Sequence, residues 1–240
     1  MAGRAQSSNG YRTIFESLYG TPRIHVKFLS KAMKMRPSMA SKKMRKALDM
    51  GYIVGPHLKR KSYANFAEYV YFLDCRDPLE LYLQYSEDQD IVYHAGMDGF
   101  SNLWVISKKE TDVNGLLYGG RRSDYYLSFP PDCAWDESIK TMWHMLQQFD
   151  PEEYIPQNLI QTHWDEYIAW NDIDETLFRE FKYNFRKPLT PLMKEYYIFS
   201  DEINEWLERL PQYCTIATYY FPESMAAYDP YLFMFETDYE

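Results

Sequence analysis

The fold of this protein is decided by residues 38–56, which read SMASKKMRKALDMGYIVGP. Apolar side chains recur there at the period of a helix, which predicts a helix from Met39 to about Met50. Ser38 is a suitable N-cap, and Gly51 stands where helices commonly end. The inward stripe consists of Ala40, Met44, Ala47 and Leu48. The outward face therefore carries Ser38, Lys42, Arg45 and Lys46.

The preceding residues predict two more helices. Apolar spacing indicates one at Tyr11–Tyr19 and another at Ile24–Lys34, with Gly20-Thr21-Pro22 breaking the chain between them. Residues 1–10 are polar and are predicted to be a disordered start. A tight turn at Arg36-Pro37 then leads into the third helix.

The residues after the third helix predict a small basic hairpin. Tyr52–Val54 favours a strand, Gly55-Pro56 a turn, and Leu58–Lys61 a second strand or loop. Three helices followed by a two-stranded wing are typical of a winged helix-turn-helix, predicted here over residues 11–66.

Charge is distributed very unevenly along the chain. Residues 1–62 hold 14 Lys and Arg against two acids, a net charge of +12, whereas residues 63–240 have a net charge of −21. A basic head on an acidic body indicates a polyanionic partner, here double-stranded DNA, although a merely solvated basic surface is the alternative. The predicted DNA-binding residues are Ser38, Lys42, Lys43, Arg45, Lys46, Lys59, Arg60 and Lys61.

The middle of the chain predicts an α+β domain over residues 67–150. Tyr69–Leu73, Ile91–Tyr93 and Asn102–Ile106 favour strands, and Pro78–Tyr85 favours a helix between the first two. This order suits an antiparallel sheet with helices on one face. Tyr125–Phe129 is a candidate fourth strand, and Asp136–Phe149 predicts a further helix.

The last third of the chain repeats the pattern of the first. A shift of 162 positions places residues 11–74 on residues 173–236 without a gap, so that Tyr69–Leu73 falls on Tyr231–Phe235. After a connector at residues 151–170, residues 171–240 are therefore predicted to be a degenerate winged-helix copy ending in a sheet strand. Chance similarity between helical segments is the alternative. At the shifted positions of the basic residues stand Asn204, Glu205, Leu207 and Glu208, so the second copy is predicted to pack or dimerise rather than bind DNA.

Residues 38–73, and MRKALDMGYIVGP at residues 44–56 above all, resemble the Lrp/AsnC (feast/famine) family of transcription regulators. The segment YHAGMDGFSNLWV at residues 93–105 is similar to that family's glycine-containing turn between two strands. The resemblance covers about residues 11–130. It implies a winged helix-turn-helix joined by a short linking strand to a ferredoxin-like β-α-β-β-α-β effector domain, with Asp136–Phe149 supplying the second helix after an insertion.

The resemblance also implies a function and a second site. It suggests a sequence-specific transcription regulator that responds to a small-molecule effector, such as an amino acid or an aromatic metabolite. The predicted effector site lies near the strand turn, where glycine permits close approach and polar side chains hold an amino or amide group. Its residues are His94, Gly96, Asp98 and Asn102.

Other classes of function find less support in the sequence. The chain has no P-loop, GxGxxG, GxSxG, CxxC or HExxH motif, so we predict no enzyme, cofactor or metal. The odd number of cysteines, Cys75, Cys133 and Cys214, favours reduced thiols, and no long apolar stretch or leader is seen, so a cytoplasmic protein without a membrane segment is expected.

Three alternatives remain open. Some relatives of the Lrp/AsnC fold are sirohaem decarboxylases, and an interaction scaffold without DNA binding is a further possibility. A homo-oligomer formed through the sheet domains is expected, but the internal repeat allows one chain to imitate a dimer by pairing its own two copies.

Overall fold

The computed structural model describes residues 2–130 and 135–239, with side chains from Gly10 onward except that of Trp135. Cys133, predicted to be a reduced thiol, lies outside the described residues, and Cys75 and Cys214 are not joined to each other by a disulfide. The chain has an α+β fold whose elements, in chain order, are α1 (Ala2–Gly20), α2 (Val26–Ala32), α3 (Pro37–Asp49), β1 (Ile53–Arg60), β2 (Tyr69–Leu73), α4 (Pro78–Glu87), β3 (Ile91–Gly96), β4 (Leu103–Ser107), β5 (Leu116–Arg121), α5 (Trp135–Gln148), α6 (Asp172–Phe181), α7 (Leu189–Tyr196), α8 (Ser200–Tyr213) and β6 (Cys214–Tyr220).

These elements form two compact units. The first contains Met1–Lys59, Tyr126–Leu159 and Trp170–Glu240, and the second contains Arg60–Tyr125 and Ile160–Ala169. The division differs from the predicted one at residues 66, 150 and 170, because the first and last thirds of the chain share one unit and part of the predicted connector belongs to the other.

The first three helices pack around one apolar core. The side chains on the inner faces of α1, α2 and α3 and at the start of β1 are almost fully buried. They are Tyr11, Ile14, Phe15, Leu18, Leu29, Ala47 and Ile53. Along α1 the buried positions recur every three or four residues, so burial of this stripe fixes which side chains face outward.

Two predicted boundaries in this region are wrong. Residues 2–10 are not a disordered start, since α1 begins at Ala2; once Tyr11–Leu18 is held by packing, extending the helix toward its N-terminus adds a hydrogen bond for each residue fixed. Ser38 is not the N-cap of α3. Arg36 is, without a side-chain cap, and Pro37 occupies the first helical position, where its missing N–H is not needed.

The predicted two-stranded wing is also corrected. Residues 53–60 form one continuous strand, and its partner is β6 from the last third of the chain. Gly55 has φ +101°, and a Cβ at this position would collide with the carbonyl oxygen of Ala217 on β6. The glycine that suggested a turn therefore allows two strands to approach closely.

The last third contributes α6, α7 and α8, packed around a second apolar core. Phe181 stacks on Trp206 with ring centroids 5.7 Å apart, and both are almost fully buried. The other buried side chains of this core are Leu177, Phe178, Phe185, Leu192, Ile203 and Leu210.

In the second unit, four antiparallel strands form a sheet in the order β3-β4-β2-β5. Helix α4 covers one face, where Tyr71, Leu73, Leu103 and Val105 are buried beneath Leu81 and Tyr85. The strand order is that of the predicted ferredoxin-like sheet.

The second half of that sheet departs from prediction. The fourth strand is Leu116–Arg121 and not Tyr125–Phe129, and residues 108–115 join it to β4 without a helix. The strand was missed because glycine has low strand propensity. Gly119 is nevertheless required here, because the ring of Tyr71 lies against it. The helix predicted at Asp136–Phe149 exists as α5 but follows β5 and belongs to the first unit, where Met142, Trp143 and Leu146 are exposed.

The predicted final strand is wrong as well. Residues 231–235 lie in no helix or strand, and no backbone–backbone hydrogen bond joins them to another residue in the described ranges. The rings of Tyr231, Phe233 and Phe235 stack along one side at 6.3 and 6.4 Å and are about three-quarters exposed. Within the described ranges no strand pairs with this segment, whereas β2, its predicted counterpart, lies between β4 and β5.

Candidate nucleic-acid interface

Helix α3 presents one basic face to solvent. Ala40 and Ala47 are fully buried on its inner side, so Ser38, Lys42, Arg45 and Lys46 are exposed on the other. Among the described residues, none of these three cations forms an ion pair or packs on a ring. Their charges are therefore available to an external anion.

Lys43 lies at the edge of this face and is tied to α1. Its ammonium stands 5.6 Å from the centre of the Tyr11 ring, and the side chain is half-buried. A cation over an aromatic face keeps its charge while its motion is restricted. Lys43 therefore contributes positive potential beside the exposed residues rather than a freely rotating contact.

The predicted wing residues are divided between the two units. Lys59 belongs to the first unit, whereas Arg60 and Lys61 belong to the second, and all three are half-buried. The guanidinium of Arg60 lies 4.7 Å from the centre of the Phe66 ring. The structure thus brings five of the eight predicted DNA-binding residues together on α3, and the other three follow along β1 and just after it.

The turn between α2 and α3 adds cations that sequence reasoning did not assign. Lys31, Lys34 and Arg36 line an open cavity of about 420 Å³, together with Ser30 and Met35. The cavity adjoins the N-terminus of α3, whose first N–H groups carry partial positive charge. The signal in the sequence was three cations within six residues, at the end of the second predicted helix and in the turn that follows it.

The last third of the chain meets the first through two reciprocal arginines. Arg23 donates to the carbonyl oxygens of Phe185 and, at 2.9 Å, Lys187. Arg186 donates to the carbonyl oxygens of Pro22 at 2.7 Å and Ile24 at 3.0 Å. Burial lowers the pKa of both guanidinium groups, and Arg186 lowers that of Arg23 further. The four carbonyl acceptors offset the cost of holding two like charges in this position.

The outer face of α8 is acidic where that of α3 is basic. Asp201, Asn204, Glu205 and Glu208 are exposed there, and Leu207 is half-buried. Arg209, the neighbouring cation, is engaged by the buried Asp174 at 2.9 Å. This face therefore repels phosphate.

Two of the predicted effector residues contact other parts of the chain, and two are exposed. The amide of Asn102 is engaged within the chain: its oxygen accepts from the backbone N–H of Cys75, and its nitrogen donates to Asp74 and to the Cys75 carbonyl. His94 lies 3.1 Å from the hydroxyl of Ser86 and packs against Tyr82. Gly96 and Asp98 are exposed.

The described part of the chain holds neither a metal site nor a membrane span. Across residues 2–130 and 135–239, no group of three or more His, Cys, Asp and Glu side chains has an arrangement that could hold a metal ion. None of the helices in these same ranges has both the length and the apolar character required to cross a membrane.

Comparison with family models finds no match, and comparison with curated protein sequences finds none either. Among solved structures, similarity is found to E. coli AsnC (13% identity, TM-score 0.37, covering 52% of this chain and 95% of that one). It is also found to a transcriptional regulator from Neisseria meningitidis in complex with L-Met (10%, 0.36, 54% and 97%) and to an AsnC family transcriptional regulator from Agrobacterium tumefaciens (12%, 0.35, 53% and 97%). These TM-scores are low and establish neither a family nor a function for this chain.

Proposed function

We propose that this protein is a transcription regulator that binds double-stranded DNA through the exposed face of α3. The observation that carries the proposal is the set of exposed cations Lys42, Arg45 and Lys46 on a helix whose opposite stripe is buried. Such a helix fits the major groove, where Arg and Lys pair with guanine. Ser, Lys and Arg side chains also contact the phosphates of the flanking backbone.

The α2–α3 turn extends the contact to the backbone of the duplex. Lys31, Lys34 and Arg36 flank the N-terminus of α3, and a phosphate seated there meets both the side chains and the helix N–H groups. Lys59 on β1 supplies a further phosphate contact. The proposed division of work is base reading by α3 and positioning by the turn and strand.

We further propose that α6, α7, α8 and β6 are a degenerate copy of α1, α2, α3 and β1. Seven buried positions of the first copy correspond to buried positions of the second at a constant offset of 163, not the predicted 162. The pairs are Tyr11 and Asp174, Ile14 and Leu177, Phe15 and Phe178, Leu18 and Phe181, Leu29 and Leu192, Ala40 and Ile203, and Ala47 and Leu210. The same offset relates Lys34 to Tyr197, both of which have left-handed backbones with φ +52° and +56°.

Binding to a random-sequence duplex across a salt series tests the main proposal. The triple variant Lys42→Ala/Arg45→Ala/Lys46→Ala is expected to bind more weakly. The slope of log K against log salt concentration should become shallower by about 0.9 for each phosphate that the variant no longer neutralises. Lys59→Ala should make this slope shallower by about one. The control Glu205→Ala/Glu208→Ala should bind at least as well as the wild type. Loss of binding in the control with retention in the triple variant would contradict the assignment.

A small-molecule response at the β3–β4 turn is the remaining part of the proposal. Gly96 and Asp98 are exposed there and leave room for a ligand. An amino-acid panel in a thermal-shift assay tests it with Gly96→Trp/Asp98→Ala. Equal shifts in the wild type and the variant would place any effector elsewhere.

A further inference from the structure

The reciprocal arginines define an internal symmetry. Arg23 and Arg186 are separated by 163 residues, and so are their acceptors: Pro22 corresponds to Phe185, and Ile24 to Lys187. Each arginine therefore makes on the other copy the contacts that the other makes on it. Mutual contact of this kind is the property of an isologous, two-fold interface, here formed within one chain.

The two strands complete this interface. β1 pairs with β6, and Tyr220 on β6 packs against the core formed by α1, α2 and α3. The first compact unit thus contains both copies. Their contacts are reciprocal, as are those between two subunits of a symmetric DNA-binding dimer. A dimer of that kind reads two half-sites related by inversion, one helical turn apart.

Only the first of the two copies has a basic face on its third helix. At the offset of 163, Ser38, Lys42 and Arg45 correspond to Asp201, Glu205 and Glu208, and all six side chains are exposed. The helix that corresponds to α3 therefore carries carboxylates at these three positions, and Arg209, which corresponds to Lys46, is engaged by Asp174. Like charge opposes their approach to phosphate.

We infer that one chain binds DNA as a built-in pseudo-dimer and recognises a single half-site, without inverted symmetry in the sequence read. The inference rests on the proposed function. The internal partner occupies the arginine and strand interface that a second chain would otherwise use, so the bound complex has one chain for each site. Two sites placed as an inverted repeat are bound independently.

The test begins with selection of bound sequences from a random-duplex library by the wild-type chain. We expect a motif shorter than about 10 bp and without inverted symmetry. Native mass spectrometry on a duplex carrying one such motif should show one chain bound. An inverted repeat of the motif at a spacing of one helical turn should bind two chains, with an affinity for each within about twofold of the single site.

A palindromic motif, or an inverted repeat bound by two chains at least tenfold more tightly than a single motif, would overturn the inference while leaving DNA binding intact. Failure to enrich any duplex, together with no binding to the random-sequence duplex at low salt, would overturn the proposed function and the inference with it. The two failures are thereby distinguished.

Discussion

The basic head, formed by α1, α2 and α3, and the acidic head, formed by α6, α7 and α8, are built alike and charged oppositely. Seven buried positions correspond, and their turns share a left-handed residue at the same place. Several exposed positions carry opposite charges, with Lys42 matched by Glu205 and Arg45 by Glu208. Packing constrains the interior because removing a buried group costs stability, whereas an exposed side chain is free to change with what it meets.

Corresponding buried positions can hold side chains of different chemistry. Tyr11 stacks on Tyr52 in the basic head, whereas its counterpart Asp174 is a buried carboxylate held by Arg209 and by the N–H of Asn171. A buried polar group needs a partner, and Arg209 supplies it across the core. The heads share a backbone plan and some identical positions, such as Phe15 and Phe178, but this position carries different chemistry in each.

The largest expected effect lies in the core of the acidic head. Trp206→Ala should lower the free energy of unfolding by about 3–5 kcal/mol because it removes a fully buried indole that stacks on Phe181. The matched control is Lys43→Ala, at the equivalent half-buried position of the basic head, which should cost under about 1 kcal/mol. Urea denaturation followed by circular dichroism measures both. Equal losses would contradict the assignment of Trp206 to a tightly packed core.

Arg45→Ala tests the difference between the exposed faces of α3 and α8. If Arg45 reads a guanine, its removal should cost about 1–3 kcal/mol on the selected motif and relax the preference at one base pair. Fluorescence anisotropy with single-base variants of the motif measures this. Glu208→Ala, at the equivalent position of α8, is the control and should leave the preference unchanged. A uniform weakening over all sequences would instead assign Arg45 to phosphate.

Charge transplantation should give the acidic head the function of the basic one. Asp201→Lys/Glu205→Lys/Glu208→Arg is expected to raise affinity for an inverted repeat at least tenfold over a single motif, because both heads then meet phosphate. Glu223→Lys/Asp229→Lys/Glu236→Arg changes the net charge equally and serves as the control. If the control gains as much, bulk charge alone accounts for the effect.

The smallest expected effect is a pH dependence carried by β1. Burial, and to a lesser extent Lys59, lowers the pKa of His57 below its usual value, so the folded state favours the neutral ring. Stability is then lost as the pH falls through the unfolded value of about 6.5. Between pH 7.5 and 5.5, the Tm of His57→Phe should fall by less than the Tm of the wild type. On β6, burial raises the pKa of Tyr219, so that phenol stays neutral over this range. An unchanged drop would assign the acid sensitivity to other groups.

The sequence predicted the helices and the outward face of α3 because both follow from local periodicity, which burial then enforces. It missed the pairing of β1 with β6, since strand partners distant in sequence leave no local mark. It missed β5 because Leu116–Arg121 is rich in glycine. Asn102 was predicted as a ligand-binding residue from its type, yet its amide is engaged by Asp74 and Cys75, which only the folded chain brings near.

The extended segment at residues 231–235 has a consequence for the behaviour of the protein in concentrated solution. Five consecutive apolar residues that are exposed and lie in no strand are a template on which other chains can assemble into aggregates. Pro230 precedes the segment and Glu236 follows it, with Asp229 and Asp238 beyond. Proline and charge at the ends of such a segment act as gatekeepers that oppose stacking of chains. We therefore expect these four residues to add to the colloidal stability that the net negative charge of the chain provides.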